Sequence, residues 1–303
     1  MEERQIHKLN STFSLLNSSL LLKMAASFHA RSNSLPSRPH PIILQCNEHL
    51  ERLRSSSETS SSSSLSHKLG ALQDLHECVE KLVQLPLTQE ALLHEPQEEL
   101  LDGSLRLLDV CTAAKDSLLH TKECMRELQS IIRRKRGEEL GITAEAKKFL
   151  TSRKVVKKAI FKALRDLKSI SKKGNIKAQQ SVALVILLKD VEVATLSTFE
   201  SLLNFISGSS TQAKPRSWSL VSKLIHTKRI GCEQVADENE FSQVDAALQS
   251  SVLEMTNKSD STNNLQNHLE KLELRIQDLE EGLEFLFRRL IKIRVSLLNI
   301  LTN

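Results

Sequence analysis

Two pairs of side chains have the types and spacing that could hold a metal ion. His120 and Cys124 stand four residues apart, and Cys46 and His49 three apart, so each pair would share one face of a helix. A zinc site needs four ligands, and neither pair has a recognisable second pair. Ordinary helix residues, buried or on the surface, are the plainer reading of both. Other chemistries leave less trace. The sequence has no G-x-x-x-x-G-K-[ST] phosphate loop, no G-x-G-x-x-G turn and no G-x-S-x-G elbow. Aspartates and glutamates fall at the surface spacings of helices, so no acid–base pair stands out. We read the chain as non-enzymatic, with no cofactor, no catalytic residue and no metal.

Charge is the stronger signal. Between Arg133 and Lys173 there are 15 Lys/Arg against 4 Asp/Glu, in a chain whose formal net charge is only +5. Arg153, Lys154, Lys157, Lys158, Lys162, Arg165 and Lys168 would cover about half the circumference of a helix. Val155, Val156, Ala159, Ile160, Ala163, Leu167 and Ile170 would cover the rest. Such a face suits anionic lipid headgroups or nucleic-acid phosphates. Base stacking uses interleaved aromatics, which this face lacks, so nucleic acid is the weaker partner. The plain alternative is a solvated face, or one that meets an acidic helix of the same chain. Arg133-Arg134-Lys135-Arg136 has the composition of a nuclear address, but four basic residues at a helix end are common.

A third signal lies near the start. Arg31-Ser32-Asn33-Ser34-Leu35-Pro36 places Arg31 three residues before Ser34 and Pro36 two after it. Basophilic kinases favour that arginine, and the six residues resemble the ligands of 14-3-3 proteins. Phosphate on Ser34 would add about −1.5 to −2 charges and acceptor oxygens for an arginine cluster.

The elements that must position these residues are helices. Among the 303 residues there are 8 Gly, 6 Pro and no Tyr, too little turn chemistry for an antiparallel β protein. Five cysteines, Cys46, Cys78, Cys111, Cys124 and Cys232, are widely spaced and never form C-x-x-C, the pattern of buried thiols in a reducing compartment. No apolar run approaches the roughly 18–20 residues a membrane span needs. A cytoplasmic protein is expected, with plastid or nucleus as alternatives.

The longest hydrophobic repeat is near the C-terminus. Leu265, Leu269, Leu272, Ile276, Leu279, Leu283, Leu286, Leu290, Ile293, Leu297 and Ile300 alternate steps of four and three, a heptad seam with no missed position. Acids fill the first half of this helix and bases the second, against the helix dipole. In a parallel homodimer Arg289 would face Arg294, and Ile291, Val295 and Leu298 widen the apolar surface beyond a narrow seam. The seam is therefore expected to pack inside its own chain, with oligomeric state left open.

The fold class that follows is all-α, a bundle of long helices with a C-terminal heptad-patterned helix. Residues 1–41 read as a disordered extension and tail. Residues 42–303 read as one helical domain with flexible loops near 55–64, 207–217 and 256–264. Helices are expected from Pro41, over Leu65–Val83, after Pro96, over Thr143–Ile170 and over Lys177–Ile206, with Gly103 marking a bend. Shorter pieces are expected over Trp218–Ile225 and Phe241–Met255.

Two stretches resemble a known family. Ser27-Phe28-His29-Ala30-Arg31-Ser32-Asn33-Ser34-Leu35-Pro36-Ser37-Arg38-Pro39-His40-Pro41 resembles the start of plant BYPASS-like proteins. Glu280-Glu281-Gly282-Leu283-Glu284, Phe287-Arg288-Arg289-Leu290-Ile291 and Arg294-Val295-Ser296-Leu297-Leu298-Asn299-Ile300 resemble their C-terminal end. The resemblance covers about residue 24 onward. It implies a plant protein linked to root and shoot development, and it brings no catalytic residues. The molecular reading is a protein–protein interaction or regulatory protein, with a peripheral membrane protein docked through residues 147–173 as the alternative.

Overall fold

The computed structural model describes residues 40–55, 62–93, 97–134, 139–171, 183–209, 239–253 and 260–302. These residues form eight helices: α1 (Pro41–Ser55), α2 (Ser62–Val83), α3 (Pro86–Leu93), α4 (Gln97–Arg134), α5 (Glu139–Ser171), α6 (Ala183–Ser207), α7 (Glu240–Leu253) and α8 (Asp260–Thr302). Among the described residues there is no strand, and no helix is long and apolar enough to cross a membrane. The tail residues Arg31, Ser34 and Pro36 lie outside the described residues, as does the stretch Trp218–Ile225. Most of the expected loops do too, but helix already begins at Ser62 and Asp260, inside two of them.

The seam helix α8 is the axis of the bundle. Every seam position from Leu265 to Ile300 is buried, none more than 8 % exposed. Its partners are α4, α2, α7 and α3 of the same chain. The charges beside the seam show why an intramolecular bundle suits this sequence. Arg289 donates to Glu77 at 2.7 Å and Glu80 at 3.1 Å on α2. Arg294 donates to the Leu101 carbonyl at 2.6 Å and Ser104 Oγ at 2.8 Å on α4. The two arginines that would repel in a parallel dimer thus find acceptors on different helices. Ile291 and Val295, expected to widen the buried face, instead stay 40 % and 48 % exposed. The a/d positions supply most of the packing.

The acidic half of α8 is answered by α4. Lys115 donates to Glu284 at 2.7 Å, Lys122 pairs with Glu280, and Gln129 donates to Glu273 at 3.1 Å. The basic helix α5 lies on the other side of α4, against α4, α6 and α7. Gly103 does not break α4, which runs unbroken from Gln97 to Arg134. Its missing side chain matters for another reason: a Cβ there would meet Glu192 Oε2 of α6 at 2.7 Å.

The end of α6 and the start of α7 are joined tightly. Gly208 takes φ 73°, the left-handed conformation glycine adopts without steric cost, and its N–H donates to the Phe205 carbonyl at 2.9 Å. Asn239 caps α7, accepting from Phe241 N at 2.9 Å, while its Nδ2 donates to the Phe205 carbonyl at 2.7 Å. The Phe205 and Phe241 rings meet edge to face at 5.6 Å.

Candidate functional site

Helix α5 carries the charged residues, and its buried stripe decides which of them face outward. Ala146, Phe149, Val156, Ile160 and Leu164 are buried, and Arg153 falls in the same column. At about 100° per residue Arg153 points roughly opposite Lys158. It is 2 % exposed and leaves the set of surface cations. Its guanidinium is enclosed by four helices. It donates to Asp245 of α7 at 3.1 and 3.3 Å, to the Ile206 carbonyl of α6 at 2.8 Å and to Thr121 Oγ1 of α4 at 3.4 Å. It also stands 5.2 Å from the centre of the Phe241 ring. The Ile206 carbonyl is in the last turn of α6, which has no partner further along its own helix, so the arginine supplies one. Lys157 reaches the same carboxylate from the rim, 2.8 Å from Asp245 Oδ2.

What remains outside is narrower and purer. Lys154, Lys158, Lys162 and Arg165 are exposed, and among the described residues none of the four has an ion-pair partner. Lys147 continues the row toward the start of the helix. Lys168 sits at the edge and pairs with Glu200 at 3.2 Å. Phe161 and Val155 are 56 % and 58 % exposed and flank the row at about 60° on either side of Lys158. An arc of about 120° centred on Lys158 holds no acidic residue. Asp166 lies just beyond it and is itself engaged.

His120, Cys124 and Cys46 of the metal-spaced pairs each meet a further side chain. His120 Nε2 and Ser152 Oγ are 2.8 Å apart, and Cys124 Sγ lies 3.0 Å from the same hydroxyl. A hydroxyl beside an imidazole is the start of a nucleophile–base pair, and residues so far apart in sequence leave no local motif for it. Here His120 is exposed, and no carboxylate among the described residues orients its ring. Cys46 faces Cys78 of α2; burial, with Cys78 adding to it, pushes the Cys46 thiol up to about 12. Among the described residues no group of three or more His, Cys, Asp or Glu could hold a metal ion.

A partly open cavity reaches into the bundle. It measures about 60 Å³ and lies between α2, α4, α6 and α8, walled by Val79, Leu107, Leu188, Ile293 and His76. His76 Nε2 is 2.9 Å from Thr195 Oγ1, which itself donates to the Val191 carbonyl at 2.7 Å. The imidazole must therefore donate from Nε2, which leaves Nδ1 as a bare acceptor with no partner among the described residues. Burial, helped by Arg289, holds this imidazole down to about 4. The space suits a few water molecules.

Neither curated proteins nor solved structures supply a match. The profile of the family described as Protein BPS1 matches residues 68–300, from within α2 to the last seam residue, and so contains the Arg153 junction and the outer face of α5. A match over that much of the 303 residues means that the chain belongs to the BPS1 family, the plant BYPASS-like proteins its C-terminal motifs resemble.

Proposed function

We propose that this chain is a non-enzymatic regulatory protein of plant development that works by contact, and that it docks on anionic surfaces through the outer face of α5. Family membership supports the developmental setting. The observation that carries the contact reading is the row Lys154, Lys158, Lys162 and Arg165, exposed side by side without a carboxylate among the described residues to neutralise it. Several charges elsewhere pair helix to helix, as Arg289, Lys115 and Arg275 do with Glu77, Glu284 and Glu240. A row left unpaired in such a molecule is free to meet a charged partner. The test is retention on heparin at low ionic strength, where screening is weak. The wild type should be retained and should elute with salt. Reversing Lys154, Lys158, Lys162 and Arg165 to Glu should abolish retention while helicity by circular dichroism stays unchanged. A wild type that passes through unretained at low salt rejects the reading.

The tail motif supports a second contact. Arg31, Ser34 and Pro36 stand as 14-3-3 ligands carry them, and phosphate on Ser34 would supply the charge that an arginine cluster reads. A peptide spanning Ala30 to His40 should bind a 14-3-3 protein with phosphate on Ser34 and not without it. Equal binding of the two forms, or none, dismisses this contact.

A further inference from the structure

We infer that the surface met by α5 is an anionic phospholipid bilayer, entered by Phe161 and Val155 while the cations hold the headgroups; this rests on the contact reading above. The charges alone do not choose between a bilayer, a nucleic acid and an acidic protein. The apolar residues do. Phe161 is 56 % exposed and Val155 58 % exposed on an otherwise cationic face. Around the helix they flank the lysine row, so a plane laid on Lys154, Lys158, Lys162 and Arg165 meets both side chains at its margins. Lysine and arginine stems are long enough to keep their heads among phosphates while shorter apolar side chains sink below them. A phosphate backbone offers those two side chains nothing comparable to bury in. Base stacking needs successive aromatic platforms, and this face has one phenyl ring.

The underlying junction makes the face rigid. Arg153 and Lys157 fasten α5 to Asp245 from behind, so the row is presented on a helix already held in the bundle. Docking then orders only side chains, which keeps its entropic cost low. Each cation near an anionic membrane is worth about fivefold in partitioning, and the buried phenyl ring about tenfold more.

The experiment uses the full chain and sedimentation with vesicles of phosphatidylcholine, with and without phosphatidylserine. The wild type should sediment with the phosphatidylserine vesicles and stay in solution with phosphatidylcholine alone. Phe161→Ser with Val155→Ser should weaken vesicle partitioning about tenfold or more. It should leave heparin retention unchanged, since the cations are intact. Phe161→Trp in a Trp218→Phe background should show a blue-shifted emission on the phosphatidylserine vesicles only. Three results overturn the inference: no vesicle binding by a wild type that heparin retains, equal vesicle binding by the serine variant, or an indole emission from the Phe161→Trp variant that does not move. Single-stranded RNA that is bound when vesicles are not would assign the face to nucleic acid instead. Loss of heparin retention in the wild type itself would overturn the contact reading beneath.

Discussion

At the scale of single residues, two buried polar groups set the strongest expectations. Arg153 and Asp245 are 2 % and 5 % exposed, so removing either partner strands a charge. Asp245→Ala should cost about 3–5 kcal/mol in urea denaturation. Arg153→Met should cost less, because Lys157 still lies 2.8 Å from Asp245 Oδ2. The double change Arg153→Met with Asp245→Leu should recover most of the loss. If both single variants stay within about 0.5 kcal/mol of the wild type, the junction does not hold α5 in place. His76 sets a pH dependence. Its imidazole titrates near 4 in the folded chain and near the ordinary 6.5 in the unfolded one. Between those values the unfolded chain takes up a proton that the folded chain refuses, so stability falls as pH drops through the window. At pH 5 the loss relative to pH 8 should be about 2 kcal/mol. His76→Gln keeps a donor for Thr195 and should flatten that slope in thermal melts; an unchanged slope would count against the assignment. Glu77 and Glu284, held below the usual carboxylate range by hydrogen bonds from Lys81 and Lys115, lose their charge at more acidic pH, which separates the two effects.

At the scale of elements, α8 allows a comparison within one helix. Leu283 is fully buried and Leu274 is 65 % exposed. Leu283→Asp removes core contacts and buries a charge, and should cost about 4 kcal/mol or more. Leu274→Asp should stay within about 0.5 kcal/mol. Similar melting temperatures for the two would mean that the seam does not carry the fold. Much of this was legible in the sequence, because an unbroken four-three repeat has one physical meaning for a helix inside a bundle. The phase of α5 was legible too, and easily overlooked. Phe149, Arg153, Val156 and Ile160 also step by four, three and four, so Arg153 belongs to the buried column whatever its charge. Counting cations around a helix hides that phase. Which helix answers the acidic half of α8 was not legible: α4 and α5 are both long amphipathic helices that carry cations, and only their packing order selects α4. The approach of Ser152 to His120 likewise depends on the register of two packed helices, which no local spacing encodes.

At the scale of the whole molecule, buried residues from all eight described helices join one hydrophobic cluster, with α8 touching four of the other helices. A chain cut at Thr256 lacks α8 and should lose its cooperative thermal transition. If it keeps the full transition and changes only its association state, α8 is a detachable arm. The place of α8 in the chain has a consequence for biosynthesis. Leu69, Leu72 and Val79 of α2 and Cys111 and Leu118 of α4 are buried in the finished protein, and α8 packs against both α2 and α4. The last seam residue is translated roughly 220 residues after the end of α2, which at 5–20 residues per second is a wait of about 10–40 s. Throughout that interval the faces of α2 and α4 that α8 will cover lack that partner. Nascent chains of this protein should therefore be heavy clients of ribosome-associated chaperones. A lesion that halts translation before residue 265 should yield a product for the proteases and not a shortened working protein.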